Sequence, residues 1–156
     1  MPGIEEQVFG PAVPGETRGE IAEPDRPLLF TMARLDTVKN LTGFVDWYGQ
    51  DDRLRELANV LVVGGYMDVH RSADEDEKRE IERMHGLFEQ HGLDGQVRWL
   101  EGQVDRERNG EIYRFVADGR GAFVQPALFE AFGLTVIEAM SCLLYTSDAA
   151  DECPAV

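Results

Sequence analysis

Cysteine is scarce in this chain: Cys142 and Cys153 are the only two, and neither belongs to a C-x-x-C pair. Neither a disulfide framework nor a structural zinc site is indicated. Of the three histidines, His70, His85 and His91, the last two lie six apart. That spacing puts them on different faces of a helix, so they read as solvated side chains rather than a metal cluster. Long apolar runs are missing as well. None approaches the roughly 18 to 20 residues of a membrane span, and the polar start (Glu5, Glu6, Gln7) is not that of a signal peptide. The chain therefore reads as soluble and cytoplasmic. Positive charge is in deficit, with 15 Lys and Arg against 30 Asp and Glu and a net charge of -15. Such a surface disfavours nucleic acid and acidic membrane as partners, while leaving local cations able to hold a phosphate.

A length of 156 residues suffices for one domain with a sizeable core. Residues Met1 to Pro27 hold five of the seven prolines and show no sustained periodicity, so they read as an extended lead-in or linker. Leu28 to Ala33 (LLFTMA) is a compact apolar run that suits a buried strand of a parallel sheet. The turn RLDTVKN follows, and Asn40 suits the N-cap of a helix with Leu41, Phe44, Val45 and Tyr48 on one face. Asp52 to Leu57 makes a short helix, and Asn59 to Val63 (NVLVV) a second strand ending at Gly64 and Gly65. The paired glycines permit a tight turn. A phosphate loop would need the G-x-G-x-x-G or P-loop lysine that this stretch lacks.

From Ser72 to Gln90, charged residues surround a stripe of Ile81, Met84, Leu87 and Phe88, the mark of an amphipathic helix. Gly92 and Gly95 bracket a turn before a third strand, Gln96 to Leu100. The polar loop from Glu101 to Asn109 carries Gln103 and Asn109, whose amides offer both donor and acceptor. A further helix, apolar at Ile112, Phe115 and Val116, runs to Ala117. This alternation of strands and helices predicts an α/β fold: a Rossmann-like parallel sheet with helices on both faces.

The stretch GAFVQPALFEAFGLTVIEAM, from Gly121 to Met140, carries the clearest chemistry. A strand reaches Pro126, a loop carries Glu130, and Gly133 opens a helix containing Glu138. A helix start presents unpaired N–H groups, so an anionic phosphate could sit on Gly133, Leu134 and Thr135. Two ionised carboxylates beside it suit hydroxyl donors of a sugar or ribose. Arg34 and Lys39 lie beyond the end of the first strand, where ligands of open α/β sheets are met. On the residues alone the same stretch reads more readily as a plain βα unit with Glu138 a solvated helix residue.

The runs MARLDTVKNLTGFVDWYG, ERMHGLF, NGEIYRFVAD and GAFVQPALFEAFGLTVIEAM together resemble sucrose synthase, a retaining glycosyltransferase of two Rossmann-like domains facing a cleft (GT-B). The likeness covers about residues Glu5 to Cys142 and falls in the C-terminal, nucleotide-binding half. The spacing from Glu130 to Glu138 matches the E-x7-E motif of a wide glycosyltransferase class, and the NGEIYRFVAD run favours sucrose synthase over sucrose-phosphate synthase. The resemblance implies reversible transfer of glucosyl between sucrose and a nucleoside diphosphate such as UDP or ADP, giving UDP- or ADP-glucose and fructose. No metal or cofactor is implied. Arg34 and Lys39 would contact the diphosphate, with backbone N–H groups at Leu134 and Thr135. Glu130 would bind glucosyl hydroxyls, Glu138 the ribose, and Gln103 and Asn109 the base. Sequence separation does not establish the carboxylate distance that glycosidase-like acid and nucleophile roles require, so both glutamates are assigned to binding and positioning.

By that comparison residues 28–142 form part of the C-terminal domain of such an enzyme. The likeness ends after Cys142, where residues 143–156 resemble translated adapter sequence rather than the family's Gly-Leu-Pro continuation. The family's N-terminal half is absent, so the isolated chain is expected to show no turnover, and the family's homo-oligomer interface is expected to lie outside it. Another retaining glycosyltransferase such as sucrose-phosphate synthase, and a non-catalytic nucleotide-binding module, are the alternative readings. The expected loss of later strands would leave an apolar sheet edge bare.

Overall fold

The computed structural model describes residues 3–102, 105–130 and 133–142, together with the backbone of 145–148. Five strands form a parallel sheet: β2 (Leu28–Met32), β3 (Asn59–Val63), β4 (Val97–Leu100), β5 (Ala122–Gln125) and β6 (Tyr145–Asp148). A two-residue strand, β1 (Thr17–Arg18), joins it antiparallel on β4. The order across the sheet is β1-β4-β3-β2-β5-β6. The parallel strands thus start in the middle at β2, step outward through β3 and β4, then return to add β5 and β6 on the other side. The helices of the two halves pack on opposite faces, which is the doubly wound arrangement.

Strand alternation divides the core accordingly. Val60, Val62, Val97 and Trp99 pack with α2 (Leu41–Gln50) and α4 (Glu75–His91) through Leu41, Val45, Tyr48, Ile81, Met84 and Phe88. Phe30, Leu61, Val63 and Phe123 pack on the opposite face with α5 (Arg106–Asp118) and α6 (Leu134–Ser141), through Ile112, Tyr113, Val116 and Ala139. Both faces are covered, so β3 is buried at every position and reads as a continuous apolar run. Each fully buried aliphatic side chain here contributes about 1.5–3 kcal/mol. Trp99 and Tyr48 satisfy their polar ends on carbonyls, Nε1 donating to Gly64 O at 2.8 Å and the hydroxyl to Ala58 O at 2.7 Å. A short helix, α3 (Asp52–Leu57), is capped by Asp51, whose carboxylate accepts from Leu54 N.

Four expectations are corrected. The lead-in is not merely extended: α1 (Ile4–Phe9) buries Val8, β1 extends the sheet, and Ile21 bridges to Gly95. The reason is Arg98, fully buried on β4, which donates to the carbonyls of Val8 (2.9 Å), Gly19 (2.7 Å) and Gly10. Proline and glycine remove local periodicity from the segment, and a distant guanidinium supplies its partners.

Asn40 occupies the N-cap position of α2 but makes no cap bond; its backbone is left-handed (φ 59°) and its Nδ2 donates to Pro126 O at 3.1 Å. The α5 helix begins at Arg106, capped by Asp105, so the loop expected to run from Glu101 to Asn109 ends earlier and Asn109 lies inside the first turn of the helix. Finally, β6 pairs along β5 from Ala122↔Tyr145 to Gln125↔Asp148, so the β5 edge is covered. Among the described residues no helix is long and apolar enough to cross a membrane.

Candidate functional site

The point where chain direction across the sheet reverses lies between β2 and β5, whose ends point the same way. Loops leaving neighbouring strands toward opposite faces open a crevice there, the usual ligand position in this topology. In this chain the two loops are laced together. Leu128 N donates to Val38 O at 2.8 Å, Asn40 Nδ2 to Pro126 O, and Lys39 Nζ meets Glu130 Oε2 at 2.8 Å. The side chains of Lys39 and Glu130 are 21% and 17% exposed, so this ion pair is shielded on most sides.

Glu130 is the hub. Besides Lys39, its Oε2 accepts from Gln125 Nε2 at 3.2 Å, and its Oε1 accepts from Gly133 N at 3.2 Å. Gly133 has a left-handed backbone (φ 61°) and stands at the N-cap of α6. A carboxylate therefore meets an N–H at the positive end of that helix, where negative charge is favoured. The second N–H of Gln125 donates to Thr135 Oγ1 at 3.1 Å.

From the other side the cation loop is held by α4. Asp76 accepts from Thr37 N at 3.0 Å and from Thr37 Oγ1 at 2.5 Å. Those bonds from the Thr37 hydroxyl and backbone hold the Asp76 carboxyl below the usual carboxylate range. Glycines close the next turn: a Cβ on Gly64 would strike the carbonyl oxygen of Ala33, and Gly65 (φ 67°) lies against Leu35. These glycines serve chain packing, as the tight-turn reading expects.

An open cleft of about 360 Å³ lies over these strand ends, lined by Arg34, Gly65, Tyr66, Asn109, Thr135 and Glu138 among others. Arg34 reaches it from an 81% exposed side chain whose nearest carboxylate is Asp36, at 3.5 Å. Glu138 is exposed on α6. A second groove of about 390 Å³ between α5 and α6 shares Asn109 and Glu138 and adds Arg106, Tyr113 and Arg114. Burial, followed by the Glu138 charge, pushes the Tyr113 phenol well above its ordinary range.

Four of the residues selected from sequence thus meet at one cleft: Arg34, Asn109, Thr135 and Glu138. Lys39 and Glu130 face each other instead. Gly133 is at the helix start, and the Leu134 side chain is 64% exposed. Gln103 lies outside the described residues. Sequence reasoning passed over Gln125, Tyr66 and Asp76. Gln125 had a signal, being the polar end of an otherwise apolar strand just before a proline. Asp76 had none, because its partner Thr37 lies 39 positions away. Among the described residues no group of three or more His, Cys, Asp or Glu could hold a metal ion.

Solved structures place this architecture. The C-terminal domain of a glycosyl transferase group 1 family protein (LpcC) from Francisella tularensis superposes with a TM-score of 0.59 at 22% identity, covering 94% of this chain and 70% of that one. Anabaena HepE, solved in complex with UDP and glucose, superposes at 0.58 with 18% identity, over 78% of this chain and 29% of that one. The fold is that of a GT-B glycosyltransferase domain. At the sequence level the family model "Glycosyl transferases group 1" matches residues 15–146, and the chain belongs to that family.

Among its relatives are sucrose synthase 6 of Arabidopsis thaliana, 54% identical over 145 residues, and the sucrose synthase of Nitrosomonas europaea, 53% identical over 146. These matches cover 93% and 94% of this chain. The chain spans only 15% and 18% of the length of those two relatives.

Proposed function

We propose that this chain is the nucleotide-sugar-binding part of a cytoplasmic sucrose synthase, which moves a glucosyl group reversibly between sucrose and a nucleoside diphosphate. The observation that carries this reading is the 54% identity to a sucrose synthase across 93% of the chain. It is supported by a cleft in which a cation, an amide, a hydroxyl and a carboxylate converge at the strand ends.

In this reading the diphosphate lies against Arg34, Lys39 and the first turn of α6, at Gly133, Leu134 and Thr135. Glu138 accepts from the ribose hydroxyls, Asn109 and Gln103 meet the base, and Glu130 accepts from the glucosyl hydroxyls. As the glucosyl bond breaks, negative charge builds on the departing diphosphate oxygen. A forked guanidinium and a compact ammonium are suited to stabilise it. Retention follows if the acceptor hydroxyl attacks from the face the diphosphate leaves, through an oxocarbenium-like state held between them. Transfer belongs to the whole protein; this chain contributes placement and electrostatics on the nucleotide side.

The test is calorimetry of the chain with UDP and ADP. Saturable binding is expected, weakened about tenfold or more by Lys39→Ala and by Glu138→Ala, in line with losing one charge-assisted contact. Because Glu138 is an exposed helix residue, its replacement should leave the melting temperature nearly unchanged. Wild-type chain that binds neither nucleotide refutes the reading.

A further inference from the structure

We propose that Gln125 is a positioning residue of this site, setting the orientation of both Glu130 and Thr135. The inference rests on the nucleotide-sugar reading for its effect on ligand, but its geometry stands apart. Gln125 is the last residue of β5 and is 2% exposed, so its amide has a fixed direction. One primary amide carries two N–H donors. Here they are divided between Glu130 Oε2 at 3.2 Å and Thr135 Oγ1 at 3.1 Å. The two acceptors lie on different elements, the loop after β5 and the first turn of α6, so a single rigid side chain fixes their relative position.

The division also sets polarity. Because the Thr135 oxygen accepts from Gln125, its own O–H is left to donate, and Thr135 lines the cleft. A hydroxyl held this way keeps its proton available for an anionic oxygen, with one of its two lone pairs already taken by Gln125. On Glu130, Gln125 and Lys39 share one carboxylate oxygen while Gly133 N takes the other. Removing the amide takes away one of the donors on Oε2 and leaves Lys39 to direct that oxygen. A ligand that draws on Lys39, as a diphosphate would, then also shifts the Glu130 carboxylate.

Two measurements test this. The first needs no ligand: the two side-chain N–H resonances of Gln125 are followed by NMR, and Glu130→Ala should displace one while Thr135→Val displaces the other. Resonances that ignore both replacements overturn the proposal. The second compares UDP with UDP-glucose on Gln125→Met, a replacement of similar length without donors. The ratio of the two affinities should shift about tenfold against UDP-glucose, the size expected for one misdirected charge-assisted contact. Equal weakening of both ligands together with a lowered melting temperature would mark a merely structural glutamine and also overturns it. If the amide resonances respond as expected but wild-type chain binds neither ligand, the nucleotide-sugar reading fails, while the fixing of Glu130 and Thr135 by Gln125 stands.

Discussion

Replacing Arg98 by methionine should free the first 19 residues from the sheet while leaving the central strands intact. The guanidinium is fully buried and donates to three main-chain carbonyls, those of Val8, Gly10 and Gly19, with a longer contact of 3.5 Å to Thr17 Oγ1. Hydrogen bonds from a charged donor contribute about 1.5–3 kcal/mol each. Against that gain stands the cost of holding a charge away from water, which pulls the Arg98 pKa below its ordinary value even though Glu20 and Asp94 act in the opposite direction. Methionine fills much of the aliphatic stem and avoids that cost, so the sum is smaller than three full bonds. A net loss of about 2–4 kcal/mol is expected, confined to the segment the arginine clasps.

Because about 1.4 kcal/mol is a factor of ten, amides of α1 and β1 should exchange with deuterium roughly 30- to 700-fold faster, as far as their own protection allows. Amides of β2 and β3 should change little. Unchanged exchange in α1 would show that the clasp carries no energy. An equal rise in β2 and β3 would show that it is a global core element rather than a local one.

Three other outcomes follow from the site. Lys39→Met should cost about 1–2 kcal/mol in denaturant unfolding, between the values for exposed and buried pairs, since Glu130 keeps Gln125 and Gly133 as donors. A double-mutant cycle with Glu130→Gln should return a coupling of the same order, and none if the pair is idle. Asp76 titrates below its ordinary value of 3.8 because of its bonds from Thr37, so its contribution is present above about pH 4 and lost as pH falls through the depressed value. The Thr37 amide resonance should therefore move with that midpoint, and in Asp76→Asn it should stay flat across the same range.

The resemblance and the periodicity made most of the fold legible, for a physical reason. Strands buried on both faces must be apolar throughout, so LLFTM, NVLVV and AFVQ stand out from the polar loops between them. Amphipathic helices show their stripe, as α4 does. The lead-in could not be read in the same way, because nothing within residues 1–27 records that Arg98, some 80 positions on, would satisfy its carbonyls. Nor does residue type reveal what Asn40 does. Asparagine is a good N-cap, but here the amide makes no cap bond and donates to Pro126 O instead.

For the site, residue type and spacing were enough to pick out the groups. Cations after the first strand and two carboxylates around a helix start are chemical choices written in the chain itself. Which groups face one another was decided by the sheet. Only the strand order, with β5 beside β2, brings Glu130 within 2.8 Å of Lys39 across 91 positions, and only burial of the β5 end makes Gln125 a fixed donor to two acceptors. Sequence determined the chemistry available, because side-chain identity is local. Tertiary structure decided its pairing, because hydrogen bonds and ion pairs depend on distances that local periodicity does not set.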